Sequence, residues 1–498
     1  MKLAELKNGV CAVIAEKTCI QMVQSCNQAF EFGADLVELR LDFLQEEFSI
    51  AEILKNITGP TLVTIRRKID GGLWEKDEQS RINILIQAQK SGAHAIDVEA
   101  DCFHNFSTSN DCLRILSYHN FAQTPANISV LHKAFESQGP ELVKIACFAN
   151  NNSDSVRILN LYQHASLPLI AFCMGTIGFP SRLLALTQKR SPWMYTNYSD
   201  NLVNAPGIPI FKDVVSVYGI KSLGNETKVF GVMGDPIGHS LSPAIHNASF
   251  KALGFPGVYL PFHISASDFS KAIEAYQSIP VIGYSVTIPH KESAFRFATT
   301  SSDLVKQIGA ANSLVKTSDG FHAENTDATG IIAAIKNKLG ETLDNREVLI
   351  LGAGGVSRAA VFALKKAGCR VKVCNRSSER AEKLAGESGV AVMPWSQRHD
   401  FKSGLLVNCT SVGMHPNEND SPWDANCFTK DHVAFDTVYN PIETRFLRDA
   451  AQAGAIVIDG VEMFVCQAAE QFNLFTSFNA PLDVMRKTVL EKLRRNKN

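Results

Sequence analysis

Lys144 lies inside an apolar, strand-like run, VKIA, and a lysine flanked by apolar residues is not buried without reason. A desolvated lysine near another cation loses its proton more readily. The neutral amine can then attack a ketone to form an imine. The protonated imine is an electron sink for carbanion chemistry at the neighbouring carbon. Such chemistry needs a base that titrates near neutrality, and His119 fits. Glu99 could hold that imidazole in one tautomer. Arginines such as Arg40 and Arg66 suit a substrate carboxylate, because the guanidinium fork binds two oxygens. The structural alternative is that Lys144 pairs with a glutamate and His119 is a satisfied core residue.

A second kind of chemistry appears late in the chain. The run LILGAGGVSRAA (349–360) reads as strand, Gly-rich turn and helix. Gly352 permits the tight turn, and Gly354 lets the backbone approach a pyrophosphate at the helix N-terminus. Ser357 holds the third-glycine position. The next strand ends in Asn375, Arg376 and Ser377, with Arg380 one turn on, where NAD binders place an acidic residue. A cation there suits a 2′-phosphate and favours NADP; a solvated basic loop is the alternative. Upstream, Ser240 and Ser242 precede a helical run, Thr287 and Lys291 follow a strand, and Asn325 and Asp327 stand in ENTDATG. A Lys–Asp pair beside a nicotinamide could move a proton to or from a substrate hydroxyl while hydride moves at its carbon. An ordinary Lys291–Asp327 salt bridge is the plainer reading.

These groups need elements to hold them. Residues 1–222 contain eight β-rich runs: 10–15, 35–42, 61–66, 95–100, 114–119, 141–147, 168–174 and 192–198. Spacers long enough for helices separate them, and 83–93 ends on a glycine stop. The pattern predicts a (β/α)8 barrel, whose active site lies at the C-terminal ends of the strands. There stand Glu38, Arg40, Arg66, Asp97, Glu99 and His119, with Lys144 inside its strand. The polar stretch 218–228 reads as a boundary before a fresh strand at 229–234. An α/β segment to about 330, a nucleotide-type unit from 347 and a helical tail from about 460 follow.

Composition bounds the rest. The 498 residues suggest about three structural units. Lys+Arg 49 against Asp+Glu 50 leaves a net charge of −1, so no global basic field attracts nucleic acid or an anionic membrane. The longest notable charge-free stretch, 165–181, is broken by Pro and Gly and too short to span a bilayer. With no signal-type N-terminus, the expected compartment is cytoplasmic. The twelve cysteines form no CxxC pair and read as buried free thiols; no cluster has metal-ligand spacing.

The first half resembles type I 3-dehydroquinate dehydratase. It does so through VELRLD (37–42), TIRR with GG (64–72), IDVEA (96–100), SYHNF (117–121), VKIA (143–146), MG (174–175) and SRL (181–183). The resemblance implies that Lys144 is the Schiff-base lysine, His119 the general acid/base and Glu99 the group orienting it. Glu38, Arg40, Arg66 and Arg182 would bind or position the substrate, and Asp70 stands where the family usually has Glu. The family's late loop, S-A-P-G-Q, is here NAPGI, with Asn204 and Ile208.

Residues 229–498 resemble shikimate dehydrogenase, through HSLSPAIHN, VTIPHK, GAANSL (309–314), NTDATG, GAGGVSRA, NCTSVGM (408–414), DTVYNP (436–441) and GVEMFVCQA (460–468). The resemblance implies that Lys291 and Asp327 are the catalytic pair. Ser240, Ser242, Thr287, Asn312, Tyr439 and Gln467 would meet the substrate, with Ser285 replacing the family's Asn. Gly352, Ala353, Gly354, Gly355 and Gly460 would meet the cofactor, and Asn375, Arg376 and Ser377 its phosphate. The expected fold is thus α/β throughout: a barrel (1–222), a substrate domain (226–330), a Rossmann NADP domain (331–460) and a C-terminal helical segment (461–498) packing back on the substrate domain. The two halves together resemble the bifunctional 3-dehydroquinate dehydratase/shikimate dehydrogenase family, which implies small-molecule substrates, NADP(H) and no metal, nucleic acid or membrane. A class I aldolase-type barrel, or a silent barrel fused to a working dehydrogenase, are the alternatives.

Overall fold

The structure is a computed structural model that describes residues 6–109, 111–188, 191–198, 206–340 and 342–495. By contacts the chain forms two compact units. One comprises Met1–Val229 with Pro256–Pro280; the other comprises Phe230–Phe255 with Val281–Asn498.

The first unit is built on eight strands: β1 Gly9–Ile14, β2 Leu36–Arg40, β3 Thr61–Thr64, β4 Ala95–Glu99, β5 Leu113–Asn120, β6 Leu142–Phe148, β7 Leu169–Met174 and β8 Trp193–Asn197. All eight expected runs are strands. Their order is β7-β6-β5-β4-β3-β2-β1-β8, with parallel pairing throughout, which makes a nearly closed barrel. Parallel strands wrapped by helices are buried on both faces, hence their dense apolar sequence.

Polarity changes along each strand. Leu36, Leu62, Ala95, Ile115, Leu142 and Trp193 belong to one apolar cluster inside the barrel. Two residues on, side chains of the same face are Glu38, Thr64, Asp97, Ser117, Lys144 and Tyr195. The apolar layer seals the N-terminal end, and the charges are collected toward the C-terminal end. Helix Glu78–Lys90, capped by Asp77, brings Arg81 to this layer; helix Phe179–Leu184, with Pro180 in its first turn, brings Arg182. The unit also includes β10, Gly257–His263, and helix Phe269–Ala275. Tyr276 Oη donates to Asn152 Oδ1 at 3.3 Å, and Asn152 Nδ2 to the His263 carbonyl at 3.4 Å.

The second unit holds two sheets. In the first, β9 (Lys228–Gly234), β11 (Val281–Val286), β13 (Ser313–Thr317), β14 (Gly320–Glu324) and β12 (Thr300–Ser301) lie in that order, with β13 antiparallel to both neighbours. The second is fully parallel, with strands β15 Glu347–Leu351, β16 Arg370–Cys374, β17 Ala391–Val392, β18 Gly404–Asn408, β19 His432–Asp436 and β20 Ile456–Ile458. Its order, β17-β16-β15-β18-β19-β20, is the doubly wound nucleotide-binding order, reversing between β15 and β18. The C-terminal helices, Gly460–Thr476 and Leu482–Arg495, pack on the first sheet's side: Phe475 stacks on Phe230 at 5.6 Å and faces Gly283, where a Cβ would lie 2.5 Å from its ring. Arg486 pairs with Glu462 at 2.9 Å to join the two helices. Among the described residues, no helix is long and apolar enough to cross a membrane, and no group of three or more His, Cys, Asp or Glu could hold a metal ion.

Candidate active sites

The mouth of the barrel is a pocket lined by Glu38, Arg40, Arg66, Asp70, His119, Lys144 and Arg182 among the polar residues, with Phe121, Phe172, Tyr195 and Ile208 among the apolar ones. Lys144 is 5% exposed. Its Nζ donates to Asp97 Oδ2 at 2.9 Å, lies 3.6 Å from Glu38 Oε1, and sits 4.0 Å from the centroid of the Tyr195 ring. Asp97 is the hub: Arg66 Nη2 donates to its Oδ1 at 2.6 Å, and Ser117 Oγ donates to the same oxygen. Burial alone would push the Asp97 carboxyl up, but Arg66 and Lys144 beside it hold it well below the usual carboxylate range.

Three expectations change here. Glu99 does not orient His119; it accepts from Arg66 Nη1 and from Arg81 Nη1, both at 2.7 Å. Two arginines saturate the carboxylate, and Arg81 arrives from a helix rather than from a strand. His119 Nδ1 is buried without a hydrogen-bond partner among the described residues. Burial and the cations Arg66 and Lys144 push the imidazole well below its ordinary value, so it is neutral at pH 7. Secondly, the groups touching Lys144 Nζ are carboxylates and a ring face, not a cation. Thirdly, Arg66 lines the pocket, but Asp97, Glu99 and Ser117 engage its guanidinium, so it holds other site groups in place.

The remaining arginines differ from one another. Arg40 is bound by both oxygens of Asp42, at 2.9 and 2.8 Å. Asp70 accepts from Arg67 Nε at 2.6 Å at the pocket's edge. Arg182 is 2% exposed, pairs with no carboxylate among the described residues, and its Nε has no partner there. It donates one long bond, 3.4 Å, to the Pro206 carbonyl and lies 4.1 Å over the Phe172 ring. Burial pushes its guanidinium down to about 9. A buried cation without an anion is costly, and a ligand carboxylate is what relieves it. Ile208 lines the same pocket, so the departure from the family's loop falls within the site; Asn204 lies outside the described residues.

In the second unit, Lys291 Nζ donates to Asp327 Oδ2. Asn312 Nδ2 donates to Asp327 Oδ1 at 2.9 Å, and the Asn312 carbonyl oxygen Oδ1 accepts from the Thr326 amide at 2.8 Å. The pair is thus fixed by the start of helix Thr326–Leu339, capped by Asn325. Gln467 approaches Thr326 at 3.5 Å, and Ser240 accepts from the Ser242 amide at 3.3 Å. A Cβ at Gly234 would lie 2.5 Å from Thr287, and Tyr439 stacks on Phe464 at 4.4 Å. Ser285 faces inward: its Oγ donates to Gln471 Oε1 at 2.7 Å, and Gln471 Nε2 reaches the Asn312 backbone oxygen at 3.2 Å.

The Gly-rich turn has the geometry of an anion cradle. Gly352 has φ +116°, and a Cβ there would meet Ser357 Oγ at 2.9 Å and the Cys409 carbonyl at 3.0 Å. Gly354 caps helix Gly355–Lys366, donates its amide to Ser357 Oγ at 3.2 Å, and has open space where a Cβ would stand. Ala353 lies between them. A Cβ at Gly355 would be 3.4 Å from Lys291 Cδ, which brings turn and Lys–Asp pair together. Asn375 Nδ2 donates to the Ser377 carbonyl at 2.9 Å, while Arg376 and Ser377 are exposed. Gly460 opens its helix with no room for a side chain: a Cβ would lie 2.5 Å from the Val438 carbonyl. Open glycine backbone, a helix N-terminus and an exposed arginine fit a phosphorylated dinucleotide.

Several site groups carried weaker signals in the sequence. Ser117 shares the alternation of His119, so period two could have found it. Asp42 stands two residues from Arg40. Gln471 falls one turn beyond Gln467. Nothing local marks Arg81 or Tyr195.

Comparison with known proteins gives matches over both halves of the chain. The family model for type I 3-dehydroquinase matches residues 10–225. Those for the shikimate dehydrogenase substrate-binding domain, shikimate/quinate 5-dehydrogenase and the shikimate 5′-dehydrogenase C-terminal domain match 232–314, 334–402 and 460–490. The chain is 36% identical over 505 residues to the bifunctional 3-dehydroquinate dehydratase/shikimate dehydrogenase, chloroplastic, of Arabidopsis thaliana, covering 95% of this chain and 83% of that protein. It is 42% identical to the shikimate dehydrogenase (NADP(+)) of Methanosarcina mazei, covering 53% of this chain and 99% of that one. Among solved structures, a shikimate dehydrogenase in complex with NADP+ is 30% identical with TM-score 0.52, covering 54% of this chain and 96% of that one. The Thermus thermophilus shikimate 5-dehydrogenase with NADP(H) and shikimate is 34% identical with TM-score 0.50, covering 53% and 99%.

Proposed function

From this chain's membership of the bifunctional 3-dehydroquinate dehydratase/shikimate dehydrogenase family, we propose the division of labour among its residues. The enzyme dehydrates 3-dehydroquinate to 3-dehydroshikimate, a lyase reaction, and reduces that product to shikimate with NADPH, two consecutive steps of the shikimate pathway. The observation that carries the assignment is the convergence on one pocket of Lys144, neutral His119 and Arg182, which pairs with no carboxylate among the described residues.

In the barrel, residues 1–222 of the chain, Arg182 takes the substrate carboxylate and so sets the ketone against Lys144 Nζ. Lys144 forms the imine. His119 removes the proton from the adjacent carbon, and the enamine so formed expels the hydroxyl, which leaves as water with the proton from His119. Water hydrolyses the product imine and frees Lys144. Glu38 and Arg40 meet substrate hydroxyls, Asp70 closes the rim, and Asp97, Glu99 and Arg66 form the rigid charge lattice behind them.

In the dehydrogenase half, bound NADPH supplies the hydride. Lys291 Nζ donates the proton to the substrate's carbonyl oxygen as it becomes a hydroxyl, and Asp327 with Asn312 keeps that Nζ aimed. Ser240, Ser242, Thr287, Tyr439 and Gln467 bind the carboxylate and hydroxyls. Gly352, Ala353, Gly354, Gly355 and Gly460 offer backbone to the dinucleotide; Asn375, Arg376 and Ser377 take its 2′-phosphate. Substrate domain (226–330), Rossmann domain (331–460) and helical tail (461–498) share this work. The twelve cysteines are free, which fits a reducing compartment, and we assign the cytoplasm.

The test supplies 3-dehydroquinate and NADPH and follows cofactor oxidation. Oxidation is expected with the wild type and lost in Lys144→Ala, which still oxidises NADPH when given 3-dehydroshikimate. Borohydride added with 3-dehydroquinate should trap an adduct on the Lys144 peptide. An adduct on another lysine, or none, overturns the barrel assignment and favours the silent scaffold.

A further inference from the structure

We infer that Tyr195 stabilises the cationic imine through the face of its ring, and so acts directly on the dehydratase's reacting nitrogen; the inference rests on the Lys144 assignment above. The ring belongs to β8 and is 3% exposed. Its centroid lies 4.0 Å from Lys144 Nζ, and both residues line the same pocket. Trp193, two residues earlier on the same face, packs edge-on against it at 6.4 Å, which fixes the ring plane. Parallel pairing of β8 with β1 sets Tyr195 beside Cys11 in a rigid sheet.

The chemistry makes this face important at one stage. The Lys144 ammonium has three N–H donors; in the ground state it donates to Asp97 at 2.9 Å, and Glu38 lies 3.6 Å away as an ion-pair contact. Ammonium plus ketone gives protonated imine plus one water. The ammonium first gives up one proton; the freed nitrogen lone pair forms the nitrogen–carbon bond as the carbonyl π pair moves to oxygen. That proton and a second N–H proton go to the oxygen, and the carbon–oxygen bond breaks as water leaves and the nitrogen lone pair closes the C=N bond. The positive charge stays on the C=N unit, but a single N–H remains. That donor can keep Asp97, and Glu38, 3.6 Å away, stays as a charge contact. Attraction to the ring face depends on charge and not on N–H donors, so it survives the change. The ring therefore offers the iminium a contact that needs no donor, while its bulk covers that side of the nitrogen.

The test compares Tyr195→Leu with Tyr195→Phe in the full chain. Phe retains the face and should turn over within about threefold of the wild type. Leu removes it from the resting ammonium and the iminium alike, so only the iminium's greater dependence on the face shows in turnover: a fall of about tenfold, equivalent to about 1.4 kcal/mol. The fraction of enzyme that borohydride traps on Lys144 in steady state should fall with it. Because Leu could disturb packing, a second series places phenylalanines of increasing fluorination at 195. The shape is kept while the face loses its negative charge, so the logarithm of turnover should decline steadily along the series. If the wild type gives no Lys144 adduct, the parent assignment fails. If the adduct forms but Leu behaves like Phe, or the fluorinated series is flat, the ring's role is refuted.

Discussion

Replacing Arg182 by methionine should make the barrel more stable and a worse catalyst. The guanidinium is 2% exposed and is pushed from 12.5 down to about 9 by burial. At about 1.36 kcal/mol for each factor of ten, that burial costs the fold about 4–5 kcal/mol. The sign follows from the direction. A cation with a depressed folded pKa carries its full penalty below about pH 9, and the penalty lifts only as pH rises above that value. Against the relief stand two losses. One is the contact with Phe172 at 4.1 Å, worth about 2 kcal/mol when desolvated; the other is the hydrogen bond to Pro206, about 1 kcal/mol. Methionine fills a similar volume and adapts to the ring. The net is a gain of about 1–2 kcal/mol, or roughly 2–8 °C for a unit of this size. Loss of a charge-assisted contact to the substrate carboxylate should meanwhile lower dehydratase kcat/KM by about 10- to 150-fold. Thermal unfolding of the full chain, with hydrogen exchange of peptides from the barrel strands, reads stability separately from the second unit. A less stable barrel with unaltered kcat/KM would refute the view that Arg182 is strained in the fold to serve a carboxylate.

His119→Asn should reduce dehydration at least about 100-fold. The wild-type imidazole, held below its ordinary value by burial, must charge on unfolding, so the barrel loses stability as pH falls below about 6.5; the variant should lose less over the same range, measured by denaturant titration. Parallel acid limbs in the two proteins would reject this. Arg376→Ala should weaken NADPH binding by about one to two orders of magnitude and leave NADH nearly unaffected, since the exposed guanidinium has only the 2′-phosphate to distinguish the two; fluorescence titration with both cofactors decides it. Ile208→Gln should add a hydrogen bond worth about 0.5–1.5 kcal/mol, improving KM by at most about tenfold with turnover nearly constant. A wild-type barrel active only after that substitution would restore the silent-scaffold reading.

Strand ends are legible locally, and they are enough to place Glu38 with Arg40, Asp97 with Glu99, and His119 at the mouth of the barrel; Ser117, on the face of His119, goes unread. Glycine turns, helix starts and the odd lysine of VKIA are equally local, so both kinds of chemistry could be read before any fold was built. Which neighbour each charge meets is decided elsewhere, by strand order and register. Lys144 stands level with Ser117 on one side and Ile170 on the other, and only that register brings its Nζ to Asp97. Glu99 looked like the partner of His119 because both end strands; the helix Glu78–Lys90 delivers Arg81 to it instead, and no spacing in the chain encodes that approach. Tyr195 lies in the last of the eight runs, and pairing of β8 with β1 carries it into the pocket where its ring meets Lys144. Residue type and local period determine which groups face inward. Long-range burial, which pairs groups far apart in sequence, determines which of them share a proton, a charge or a ring face.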